Sequence, residues 1–356
     1  MVYLSRSSTP HSIKKKYEPR VVSVRNKTII HDAIYGSVVI TEPVLSSLLQ
    51  CDAMKRLRKI GQGGVPSELY INETCSRFDH SVGVMLLLRK MGASVEEQVS
   101  GLLHDVSHTA FSHTIDYVMG TAGREDFQDN RHEEVVCKGE LAEILGDHGF
   151  EPSRIANCEL FSLLEQDAPR LCADRVDYTL HELGIGFNSD VKRLHTMVDS
   201  IMVYDGRMMF STQESAANFA YGYYRCQEEH WGGFEGQVRT VLFSSALREA
   251  YTSGELTMED FLQDDEHCMD ILNKSGNENI QKLLSTLRLR EEMRCELQDA
   301  DSAPYVISKK WRYIDPEFVD NERVMILSEV DSEYKEMLEV QRVKPTRQGF
   351  RVCAWK

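Results

Sequence analysis

From about residue 78 to residue 293, apolar side chains recur at intervals of three and four, as in Val82, Val84, Leu86, Leu87 and Leu88 and then Val99, Leu102 and Leu103. That period commits most of the chain to helices that bury a face. Gly92 reads as a helix stop, and Ser94 with Glu97 reads as a capping box that opens the next helix. Two successive helices are thus expected to end near His80 and His104. A polar, Gly-containing loop over 120–131 should precede a helix starting near His132, and an amphipathic helix should begin near Pro169. Residues 28–42 read as two short strands about Gly36, followed by a helix from about Pro43. Val198 to Ser211 alternate around Asp205-Gly206, the strongest hairpin signal in the chain. β-Branched and aromatic residues return after about 304. The expected fold is mostly α, a helical bundle with short β-hairpins and a small α+β C-terminal part. Its divisions are a flexible basic tail over 1–26, a body over 27–293 and a C-terminal region over 294–356.

Charge narrows the partners. Lys and Arg number 41 against 56 Asp and Glu, leaving a formal net charge of −15, which repels a polynucleotide backbone at long range. A small anion is still admissible, because a few focused cations or a bound metal override the overall field locally. Nine cysteines stand singly, with no CxxC, so reduced core thiols are expected in place of a disulfide framework. No run of about eighteen apolar residues and no signal peptide is legible, and an intracellular protein, cytoplasmic or nuclear, is expected.

Five of the twelve histidines fall between 80 and 132, in RFDH (77–80), HDVSHTAFSH (104–113) and NRHEE (130–134). A His followed at once by Asp at the end of an apolar helix offers an imidazole nitrogen and a carboxylate oxygen to one cation. His80 can add a third ligand, and the segment LCADRVDYTLHEL offers Asp174 as a fourth, with Asp177 one turn on and available to a basic neighbour. Two imidazoles and two carboxylates suit one divalent ion, whether Mn, Fe, Mg, Zn or Co.

The order His80, His104-Asp105, Asp174 resembles the HD superfamily of metal-dependent phosphohydrolases. The strings KTIIHDAIYGSV, MKRLRKIGQGG, CSRFDHSVGV, GLLHDVSHTAFSH and ADRVDYTLHELG look like its deoxynucleoside triphosphate triphosphohydrolase branch. The likeness covers roughly residues 27–252 and, more faintly, the C-terminal tail. It implies metal ligation by His80, His104, Asp105 and Asp174, with Arg77, His108, His113, Arg175 and Tyr178 facing phosphates. It further implies Gln62 and Glu182 at the sugar, and His132 as the acid that protonates the leaving oxygen, held by Asp116. A homo-oligomer, a dimer or higher, is expected on the same ground, as is a small nucleotide or phosphate-ester substrate.

The likeness loosens past residue 211. A triphosphate-contacting Arg falls on Cys226 and a base-side Tyr on Phe234, while an activating-nucleotide contact falls on Gln50, although Arg58 is kept. Release of triphosphate is the leading expectation and phosphomonoester hydrolysis its rival. A second metal on His108 and His132, a nucleotide sensor without turnover and a di-iron oxygenase complete the alternatives.

Overall fold

The computed structural model describes residues 2–3, 11–24, 27–70, 73–289, 293–308 and 311–353. At its centre is the helix Arg77–Lys90. Ser76 accepts the Asp79 backbone N–H, and the Asp79 carboxylate accepts the Ser76 N–H, which fixes where the helix starts. His80 therefore lies in the first turn of this helix and not where a helix finishes, a correction to the sequence reading. Every residue from Arg77 to Leu88 is buried, so the helix is packed on all sides and lacks a polar stripe.

Left-handed Gly92, with φ 77°, ends the element. Ser94 then caps Val95–Leu103 by accepting from the Glu97 N–H. Glu97 does not complete the expected box, because its carboxylate accepts instead from the backbone N–H groups of Leu163 and Leu164. The helix Ala173–Ile185 packs on Arg77–Lys90. It starts at Ala173 and not near Pro169, since Cys172 is still extended. The helix Asp129–Val136 carries His132. Beyond it, Gln213–Cys226, a π-helical turn Gln227–Trp231 and Phe234–Ser253 form a second wall.

Strands are few and marginal to the helices. Arg20–Val24, Lys27–Asp32 and Gly36–Ile40 form an antiparallel meander. The expected hairpin is Ile201–Tyr204 with Arg207–Phe210, and Asp205 and Gly206 both take positive φ, as a two-residue turn of this hand requires. Strands of the C-terminal region divide between two sheets. Glu317–Asp320 joins that hairpin through Phe318 and Phe210, whereas Arg294–Gln298, Tyr305–Ser308 and Arg347–Val352 form another sheet, to which Val2–Tyr3 adds an edge.

Much of the described part of 1–26 is structured, contrary to the tail expected there. His11–Tyr17 is helical and Arg20–Val24 is a paired strand. Tyr17 is the anchor: its ring packs where a Cβ on Gly184 would stand 2.6 Å away, and its hydroxyl donates to Ser189 O at 3.1 Å. The basic composition hid this apolar packing. Among the described residues, three apolar clusters result, centred on the 173–185 helix, on the 234–253 helix, and on the N-terminal meander with the 77–90 helix. Among the described residues no helix is long and apolar enough to cross a membrane.

Candidate metal centre

His80 and His104 point their Nε2 atoms at each other, 3.2 Å apart. Each ring is fixed from behind: His104 Nδ1 lies 2.7 Å from Gly101 O, and His80 Nδ1 lies 2.7 Å from Asp177 Oδ2. A carbonyl or carboxylate oxygen only accepts, so Nδ1 carries a proton in both rings and Nε2 is the atom left to ligate a cation. Asp174 Oδ1 stands 2.9 Å from His80 Nε2 and 3.6 Å from His104 Nε2. Asp105 stands 3.7 Å from the first and 3.6 Å from the second. The donor atoms of His80, His104 and Asp105 lie within 4.8 Å of one another.

Two ring nitrogens and two carboxylates facing one point repel unless something positive sits among them. Burial alone would lower the pKa of His80, yet Asp174 and Asp177 outweigh it and push it up to about 10, so positive charge is favoured at this point. Two nitrogens on one ion at about 2.1 Å stand roughly 3.0–3.4 Å apart, and the observed spacing of 3.2 Å fits. The residues present can therefore hold one divalent ion.

Behind the cluster lies a carboxylate whose role the sequence left open. Asp177 is fully buried and takes three partners: His80, the His181 Nδ1 at 3.1 Å and the Tyr35 hydroxyl at 2.7 Å. Burial would raise its pKa, but His181 and His80 hold it down to about 2. Tyr35 is aimed by Asp32, whose Oδ1 accepts from the backbone N–H of Ile34 and Tyr35 at 2.7 and 2.8 Å. Gly83 makes room for this knot, since a Cβ there would stand 2.1 Å from Asp177 Oδ1. Gly83→Ala is expected to displace the carboxylate and destabilise the fold by about 1–3 kcal/mol, the usual cost of overpacking. Denaturant melts of the metal-free protein check it, and an unchanged midpoint would contradict the close approach.

In front of the cluster opens a cavity of about 960 Å³. Eleven of the thirteen residues singled out from sequence line it, while His80 and Asp116 lie fully buried behind its wall. Arg77 donates to Asp105 Oδ2 at 2.7 Å and to Ser112 Oγ at 3.0 Å, so it faces a cluster carboxylate. His108 Nε2 is 3.2 Å from Asp105 Oδ1, and burial together with Arg77 pushes its pKa down to about 3. His113 meets His108 edge-on and has its Nδ1 3.5 Å from Asp116 Oδ2. His132 has its Nδ1 3.4 Å from Ser107 Oγ, and burial with the nearby His104 pushes it down to about 4. The expectation that Asp116 holds His132 is thus corrected. Asp116 Oδ1 accepts from the Thr121 hydroxyl and the Phe127 N–H, and its other oxygen faces His113, three residues before it, at 3.5 Å.

Several other side chains differ from the sequence reading. Arg175 lines the cavity but donates to the backbone oxygens of Arg170 and Gln166 at 2.6 and 3.2 Å, so it is turned away from the phosphates expected of it. Gln62 accepts from Cys75 Sγ, and the Tyr178 and Tyr223 hydroxyls are 2.8 Å apart. Glu182 pairs with His230, a residue that the sequence reading missed. His230 and Trp231 are brought in by the π-helical turn, and no local pattern announces that placement. Cys226 is buried, and neither it nor Phe234 lines the cavity. Gln50 donates to Ser23 and Ser46, and Arg58 stacks on Phe78 at 3.5 Å.

The HD domain family matches residues 77–180. The chain is 33% identical over 309 residues to YdhJ, an uncharacterized protein of Bacillus subtilis, covering 86% of this chain and 94% of that protein. It is 40% identical over 157 residues to the metal-dependent phosphohydrolase cns2 of Cordyceps militaris, covering 44% and 45%. It thus spans nearly all of the first relative and under half of the second. The crystal structure of a phosphohydrolase from Bacteroides thetaiotaomicron shares the fold, with TM-score 0.67 at 17% identity over 92% of this chain and all of that one.

Proposed function

The chain belongs to the HD-domain family of metal-dependent phosphohydrolases, and from that premise we propose that His80, His104, Asp105 and Asp174 hold one divalent cation beside a cavity that hydrolyses the phosphomonoester of a nucleoside-sized alcohol. One observation carries the reading: two imidazoles aim their Nε2 atoms at one point, 3.2 Å apart, because both Nδ1–H groups are already engaged. A divalent cation bound there supplies Lewis acidity at a phosphoryl oxygen and lowers the pKa of a water.

The protein's own groups do the rest. Arg77, fixed against Asp105 and Ser112, keeps a positive charge beside the reacting phosphoryl. His113 opens to the cavity with Asp116 behind it, and burial notwithstanding, His113 and Thr121 keep that carboxylate's pKa below the usual range. A carboxylate at this place orients the His113 ring, which places a proton donor toward the leaving oxygen. His132, neutral near pH 7 by virtue of its lowered pKa, is then a hydrogen-bonding group to substrate. His113→Gln is expected to retain metal and lose roughly 10²–10⁴-fold in kcat, Asp116→Asn to follow it less steeply, and His132→Gln to lose less than either. A larger loss at His132 would return the acid role to that residue.

Charge favours one phosphate over three. Among the described residues nine carboxylates line the cavity against three guanidinium groups, an environment poorly matched to a polyphosphate. The second reading, triphosphate release from a deoxynucleoside triphosphate, draws on the five motif strings and on the carbohydrate-side pair Gln62 and Glu182. Phosphorus NMR of the products from a panel of nucleoside mono- and triphosphates separates them. If the metal-loaded protein yields neither phosphate nor triphosphate, hydrolysis at this site is refuted.

A further inference from the structure

We infer that Arg312 recognises the phosphate of the substrate and that Glu125 takes the place of that phosphate between turnovers; this rests on the phosphohydrolase reading above. Of the three guanidinium groups that line the cavity among the described residues, two are already committed to the fold. Arg77 is held by Asp105 and Ser112, and Arg175 by the backbone oxygens of Arg170 and Gln166. Arg312 differs from Arg175 in pairing with a side-chain carboxylate, Glu125 Oε2 at 2.5 Å, and from Arg77 in that this carboxylate is not one of the candidate metal ligands. Both members of the pair line the cavity. A carboxylate offers a guanidinium the same kind of acceptor oxygens as a phosphate does, so the two compete for one fork of N–H donors.

The base of the arginine is fixed, which lets the tip be exchanged between partners. Ile314 is fully buried and its carbonyl accepts from the Tyr334 hydroxyl at 2.7 Å. The Asp315 N–H donates to Pro169 O at 3.0 Å, which docks this stretch beside the 173–185 helix. Arg312 lines the same cavity as Tyr178, Tyr223 and the candidate metal ligand Asp174. The two tyrosine hydroxyls, 2.8 Å apart, use one proton between them and leave the other for a ligand oxygen. The position at which the sequence resemblance puts a phosphate-binding arginine is Cys226, buried away from the cavity. A residue from far along the chain supplies the cation in its stead.

The test titrates inorganic phosphate into metal-loaded protein by calorimetry, alongside steady-state hydrolysis of phosphomonoesters, for the wild type, Arg312→Gln, Arg312→Lys and Glu125→Gln. Arg312→Gln should weaken phosphate binding and raise KM by roughly 10- to 100-fold, the range of a charged hydrogen-bonded pair, with kcat and metal content little changed. Arg312→Lys should recover part of the loss, and Glu125→Gln should tighten phosphate because the competitor is gone. Wild-type phosphate affinity in Arg312→Gln overturns the inference even if hydrolysis is intact. A lower melting temperature in Arg312→Gln and Glu125→Gln with unchanged phosphate affinity also overturns it, assigning the pair to the fold alone. Phosphate binding that depends on Arg312 in a protein that cleaves no ester upholds the inference and removes the hydrolytic reading instead.

Discussion

Replacing His104 with alanine is expected to give a folded protein that retains no metal through dialysis and hydrolyses no phosphate ester above background. Among the four candidate ligands this one is the cleanest to remove. Its ring is anchored by a single bond to Gly101 O and caps the C-terminal end of the 95–103 helix. Losing it leaves no buried charge without a partner. Asp105→Asn removes a ligand too, but it strips Arg77 of its carboxylate, and breaking such a buried pair costs about 3–5 kcal/mol, so unfolding would cloud the result. Elemental analysis and far-ultraviolet circular dichroism on His104→Ala read metal and fold separately. Stoichiometric metal in the variant would show that the imidazole is not a ligand.

The second large effect is expected from a residue that touches no ligand-bearing solvent at all. Asp177→Asn should weaken metal binding by roughly 10- to 100-fold, the usual cost of losing the partner behind a ligating imidazole. The carboxylate accepts from Tyr35, His80 and His181 at once, and an amide has one oxygen for that work and turns an N–H toward the remainder. His80 then either loses its anchor or moves its proton to Nε2, which blocks the ligand lone pair. Stability should fall as well, by about 2–3 kcal/mol, because hydrogen bonds to a buried charge are forfeited. Metal competition against a chelating dye and thermal melts measure the two consequences. Wild-type metal affinity in this variant would remove Asp177 from the site.

How far the sequence reached depends on whether a relation was local. The His104-Asp105 doublet, the Gly92 stop and the Asp205-Gly206 turn are written in neighbouring residues, and each lies where the reading put it. The pairing of His113 with Asp116 was equally local, an i,i+3 pair readable from spacing, yet the resemblance drew Asp116 to His132 and masked it. Asp177 was seen to share a helix with Asp174, but periodicity names the face of a helix and not what the face meets, so its service to His80 on another helix stayed hidden. Arg312 and His230 reach the cavity through tertiary packing of distant segments, which leaves no pattern in the text. Tyr17 was lost among lysines because composition averages over the one ring that anchors the segment.

Tyr35 sits in the turn that joins Lys27–Asp32 to Gly36–Ile40, and its hydroxyl ends on the carboxylate that orients His80. Cation uptake and the docking of that first meander therefore draw on a common free energy, and linkage makes the coupling reciprocal. Stripping the ion with a chelator should loosen the meander and speed amide exchange in residues 27–40, while a loosened meander should in turn release the ion more readily. A strand pair more than a hundred residues ahead of the aspartates of the 173–185 helix thus acts as the clasp on their cargo.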